Sequence, residues 1–182
     1  MPNLAAHSSL HGECSEAFDG DVDSAHELPF RCHSLVRVEN PKDRLCLARA
    51  INIGLKYREC DQQRSQKFKE YIQDQSRHEP AARYLLLAAR IDANKDFYGI
   101  EDAIKLQDLL NVRYGQHEIR LVIFSAASQN KIIWKGWNGM PAKFNLCLYH
   151  ARDHFSFLLS PKALLKVVLF ISSLYINYVS IY

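Results

Sequence analysis

The segment "EIRLVIFS", residues 118–125, is where the chain changes period. Before it, apolar residues recur every three or four positions. From it onward they come in short runs rich in branched and aromatic side chains, the pattern of strands. Three more such runs follow: "KIIWKG" (131–136), "NLCLYH" (145–150) and "HFSFLLS" (154–160). Between them lie "AASQN", "WNGMPAKF" and "ARD", turn-like segments of ordinary length.

Working backward from the same segment, "GIEDAIKLQDLL" (99–110) reads as a helix with Ile100, Ile104, Leu106 or Gln107, and Leu110 on one face. Pro80 opens another helix, "AARYLLLAARI" (81–91), whose run from Leu85 to Ala89 is expected to be buried. The polar stretch "DQQRSQKFKEYIQDQ" (61–75) carries a thin stripe of Phe68, Tyr71 and Ile72 and suits a solvated surface helix. In "ENPKDRLCLARAIN" (39–52), Leu45, Cys46, Arg49, Ala50 and Ile53 fall at helical spacing, with Asp43 as the expected N-cap. A short strand is expected in "CHSLVRV" (32–38), ended by Asn40-Pro41. Helices first and strands afterwards predict an α+β domain with the helices packed on one side of an antiparallel sheet.

At 182 residues the chain has room for one domain with a real core. Residues 1–30 hold Glu13, Glu16, Asp19, Asp21, Asp23 and Glu27 and no Lys or Arg, so residues 1–33 read as a disordered acidic leader. All 23 basic residues lie after residue 30, which leaves a basic body. Such a body can meet nucleic acid or an acidic protein surface, but no dense Lys/Arg run with interleaved aromatics is present. The five cysteines, Cys14, Cys32, Cys46, Cys60 and Cys147, are odd in number and scattered, and no secretory segment opens the chain. Free thiols in an intracellular compartment, cytoplasm or nucleus, are therefore expected.

Cys46 is the residue with the clearest chemical potential. A cysteine at a helix start meets free backbone N–H groups, which favour the thiolate and can hold an oxyanion. Nucleophilic catalysis also needs a base. His150 and His154 in "NLCLYHARDHFSFLLS" are available, and His154 shares a strand face with Ser156 while Asp153 points away. The competing reading makes Cys46 a small buried hydrophobe and the histidines ordinary surface or core residues.

"DRLCLARAI" (43–51), followed about 105 residues later by "HFSFLL", resembles the Asp-x-x-Cys and His blocks of the ovarian tumour (OTU) family of cysteine peptidases. With "GIEDAIKLQDLL", "IRLVIFS", "KIIWKG" and "LCLYHARDHFSFLLS" in the same order, residues 34–162 resemble the OTU-like segment near the front of protein-primed family B DNA polymerases of Maverick-type mobile elements and their virus-like relatives. The resemblance implies a papain-like fold and deubiquitinase chemistry on ubiquitin or a ubiquitin-like protein. It implies Cys46 as nucleophile, His154 as general base and Asp43 as the acidic residue of the oxyanion loop, with no cofactor and no metal. The family commonly has a bulky aromatic two residues after the Cys, where this chain has Ala48. Many members have Asn or Asp two residues after the His, where this chain has Ser156. Ser156 and Asp153 are the remaining candidates for orienting the imidazole. The second reading is a catalytically inactive OTU-like fragment of such a polymerase protein that serves as an interaction module.

The sequence holds three other constellations. Cys147, His150 and His154 form C-x2-H-x3-H, but strand alternation puts Cys147 and His150 on opposite faces and no second Cys/His pair lies near. Trp134 and Trp137 are expected to cap a hairpin core rather than stack on bases. Residues 163–182 form a hydrophobic tail in which Val167–Tyr182 are 16 residues without a charge. That is short for a membrane span, and a tail anchor stands as the minority reading beside an extra element on the core.

Overall fold

The computed structural model describes residues 34–38, 44–60, 65–136 and 141–162 of the chain. Five strands and four helices follow in order: β1 (Leu35–Val36), α1 (Cys46–Glu59), α2 (Gln66–Gln73), α3 (His78–Ala88), α4 (Ile100–Tyr114), β2 (Ile119–Ser125), β3 (Lys131–Lys135), β4 (Phe144–Ala151) and β5 (His154–Leu158). The expected α+β order is observed, with all four strands after residue 117 in place. The acidic leader, the hydrophobic tail, Asp43 and Trp137 lie outside the described residues.

The sheet order is β1-β5-β4-β2-β3. Three neighbouring pairs are antiparallel, but β2 and β4 run parallel, Ile119 beside Phe144 through Ser125 beside His150. The expectation of an antiparallel sheet is corrected at this one pair. The hairpin through residues 126–130 lays β3 along one side of β2, and the chain must then return to the start of β2 to add β4 on its other side. Strands β3 and β4, consecutive in the chain, are therefore not neighbours in the sheet. The "ARD" turn is a tight hairpin: Arg152 and Asp153 both have positive φ, 49° and 59°, as a primed two-residue turn requires.

Helix α1 is buried on nearly every side through its first ten residues, Cys46 to Leu55. It lies between β4 and β5 on one side and α2 and α3 on the other, so a one-sided apolar stripe would not suffice. Its N-cap position is Leu45, with no side-chain cap, in place of the expected Asp43. Elsewhere the helical faces are rotated from expectation. In α3 Leu85 and Leu86 are buried while Leu87 is 74% exposed. In α4 the buried line is Ala103, Leu106, Gln107 and Leu110, and Ile104 faces outward. Phe68 is the buried residue of α2, and Tyr71 and Ile72 are half-buried against the same core. Trp134 also packs on that core from β3. Among the described residues no helix is long and apolar enough to cross a membrane.

Candidate active site

Cys46 is the first residue of α1, within the first turn where the sequence places it. It lines a cavity of about 590 Å³ together with Arg44, Asp96, Phe97, Tyr98, Asp153 and Phe155. Three parts of the chain meet there: the entry to α1, the loop between α3 and α4, and the β4–β5 turn. Arg44 ties the first two together, donating from Nη1 to the Asp96 carbonyl at 2.7 Å, with the Asp96 carboxylate 3.4 Å away. Phe97 is 74% exposed at this cavity, whereas Tyr98 is buried. The Tyr98 hydroxyl donates to the Asp92 carbonyl at 3.2 Å. Burial first, then the carboxylates of Asp102 and Asp92, push its pKa up to about 12, so it is a neutral wall of the cavity at any physiological pH.

The Cys46 thiol reaches the β4–β5 turn through the main chain. Its Sγ lies 4.0 Å from the Asp153 carbonyl oxygen, and the residue is 5% exposed. Asp153 thus meets the cysteine by its backbone as well as lining the cavity.

His154 follows directly in the chain, and the pleat decides where its ring goes. Phe155 and Phe157 share the core with α1, and across the β4 ladder they face His150 and Leu148. His154 and Ser156, facing Ala151 and Tyr149, belong to the opposite side of the sheet. The expected sharing of one face by His154 and Ser156 is observed, but that face is turned away from α1. The His154 ring is half-buried and donates to the Val38 carbonyl. Burial lowers its pKa, Val38 opposes this, and the positive charge of Arg37 adds to the lowering. The ring is therefore neutral near pH 7, the form a proton acceptor needs. Ser156 is 4% exposed.

His150, also named by the sequence, is on the α1 side. Its ring centroid is 4.6 Å from that of Phe155, which itself lines the cavity. Burial lowers its pKa, with Asp153 pulling the other way. Cys147 is buried on the other face of β4 from His150, so alternation separates two members of the C-x2-H-x3-H pattern. Among the described residues no group of three or more His, Cys, Asp or Glu side chains is placed to hold a metal ion.

Sequence reasoning missed Arg44, Asp96, Phe97, Tyr98 and Phe155 as partners of Cys46. Their spacing along the chain carries no motif, because a loop some fifty residues beyond the cysteine supplies three of them. No protein-family model, curated protein or solved structure matches the chain.

Proposed function

We propose that this chain is an OTU-like, thiol-dependent acyl-transfer domain of the cysteine-peptidase type, with Cys46 as nucleophile and His154 as base. The observation that carries the reading is the position of Cys46. It starts a buried central helix and lines a cavity together with Asp153 of the turn leading into His154. On this reading the Cys46 sulfur attacks the carbonyl carbon of an amide or isopeptide bond, and the backbone N–H groups at the start of α1 receive the oxyanion. The imidazole takes the thiol proton and delivers it to the leaving amine; water then cleaves the thioester and regenerates the thiol. To act, the His154 ring must leave the Val38 carbonyl and swing round the start of β5 to the α1 side, where Cys46 lies. Ubiquitin or a ubiquitin-like protein is the proposed acyl donor, in a reducing intracellular compartment that keeps Cys46, Cys60 and Cys147 as the free thiols they are.

A second reading, the catalytically silent interaction module, is favoured by the pleat that turns His154 away from α1 and by the low exposure of Cys46. One experiment separates them. The full chain is treated with a ubiquitin probe bearing a thiol-reactive C-terminus, beside Cys46→Ala, His154→Ala and His150→Ala. Labelling lost in the first two variants and kept in the third supports the proposal. Labelling that survives His154→Ala but fails in His150→Ala transfers the base role to His150. No labelling of a folded wild-type chain leaves the silent module.

A further inference from the structure

Among the described residues the sheet ends at β3, with no strand beyond it. Four of the five β3 residues, Lys131, Ile132, Ile133 and Lys135, are exposed. An edge strand presents a row of main-chain N–H and C=O groups on its open side, ready to pair with another extended segment. The register with β2 shifts between Ile123 and Phe124, so Ile133 is an extra residue and the strand changes parity across it. Lys131 and Trp134, beside Ser125 and Ile123, therefore lie on the helix side, while Ile132 and Lys135, beside Phe124 and Val122, lie on the other. Each face of the edge carries one apolar and one cationic side chain.

Charge singles out the occupant. Residues 119–152, which span β2 to β4, contain no Asp or Glu and five basic residues: Arg120, Lys131, Lys135, Lys143 and Arg152. Lys143 pairs with Glu118. Lys131 and Lys135, at the two ends of the exposed strand, have no ion-pair partner among the described residues. The same lysines disfavour a second copy of the chain. Two β3 strands paired antiparallel about Ile133 would set Lys131 of each against Lys135 of the other, like charges directly opposite. We infer that the β3 edge binds an extended acidic segment of a partner protein, which adds a sixth strand to the sheet. Main-chain hydrogen bonds hold it, its carboxylates meet Lys131 and Lys135, and its apolar residues cover Ile132 and Ile133. Strands β2 and β4 separate this edge from β5, so the inference does not depend on the acyl-transfer reading of Cys46.

The test uses the full chain and a fluorescent peptide, Glu-Glu-Val-Thr-Val-Glu-Glu, read by polarisation and by amide hydrogen exchange. Saturable binding is expected, weakening as salt rises, with slowed exchange in β3. The peptide Glu-Glu-Pro-Pro-Val-Glu-Glu keeps the charge, but successive N–H groups of a strand point to opposite sides, so two adjacent prolines remove one that faces β3. It should bind ~tenfold or more weakly. Lys131→Glu/Lys135→Glu should reject the acidic peptide and accept Lys-Lys-Val-Thr-Val-Lys-Lys, a reversal that loss of the fold cannot produce. No binding of the acidic peptide, equal binding of the proline peptide, or protection confined to other elements would each overturn the inference. So would a peptide-free dimer in which a second copy protects β3, or tighter binding of a single-stranded oligonucleotide at the same strand.

Discussion

Gly54 of α1 sits where the helix backbone touches the sheet. A Cβ added there would come within 2.6 Å of Leu146 Cγ and 2.9 Å of both its methyl carbons. Gly54→Ala is therefore expected to destabilise the fold by about 1–3 kcal/mol through overpacking, seen as a lower urea midpoint at constant slope. In Gly54→Ala/Leu146→Ala the loss should be smaller than the sum of the two single losses, because the new methyl group fills part of the space the leucine vacates. The histidines set a pH dependence at the same scale. His78 is buried and donates from Nε2 to the Tyr71 carbonyl at 2.7 Å; His150 and His154 are half-buried. All three have pKa values lowered mainly by burial from an ordinary 6.5. As pH falls the unfolded chain takes up these protons first, so stability is full above about 6.5, declines below it, and levels off once the folded rings protonate. Urea midpoints measured from pH 8 to 5 should fall with acid, and His78→Gln should flatten the slope. A curve flat across that range would refute this account.

At the scale of elements, Gln107 joins α4 to the sheet by imitating a strand. The ladder between β2 and β3 runs only from Val122 to Ser125 on the β2 side, which leaves the earlier half of β2 without a strand on that flank. The Gln107 amide fills this gap: Nε2 donates to the Ile119 carbonyl at 2.9 Å, and Oε1 accepts the Leu121 N–H at 2.8 Å. Asn111 Oδ1 takes the second Nε2 proton at 2.9 Å. Gly136 then donates to the Leu121 carbonyl, and a Cβ at that glycine would stand 2.3 Å from Gln107 Oε1. Gln107→Leu leaves a buried N–H and a buried carbonyl of β2 without a side-chain partner, each worth ~1–3 kcal/mol. We expect a loss of about 2–4 kcal/mol and faster amide exchange at Leu121. Unchanged exchange there would show that the clamp is dispensable. The helical period offers Leu106 or Gln107 for the inner face, and both are buried, but it cannot distinguish a core filler from a side chain that substitutes for a strand.

The whole molecule has two sheet edges of different character. On one side β1 is two residues long; on the other β3 presents Ile132 and Ile133 at 51% and 42% exposure. A strand with an open side and exposed apolar residues invites pairing with another chain. Ile132→Lys is expected to change stability by no more than ~0.5 kcal/mol while slowing concentration-dependent aggregation in light scattering. Equal aggregation in both proteins would place the sticky surface elsewhere, for example on Leu87 and Tyr84 of α3, which are 74% and 64% exposed.

Local pattern made much of this protein legible in advance. The α+β class, the four late strands, a helix with Cys46 in its first turn and the common face of His154 and Ser156 all follow from periods of 3.6 and 2 acting within a few residues. The parallel β2–β4 pair did not, because it depends on which side of β2 the chain returns to after β3. Nor did the walls of the Cys46 cavity, since Arg44, Asp96 and Phe155 meet only once the whole chain has folded. The side of the sheet that receives α1 is also a property of the assembled layers. Pleat parity says which residues share a face; only packing says which face meets Cys46, and that choice puts His150 on the helix side and His154 on the other.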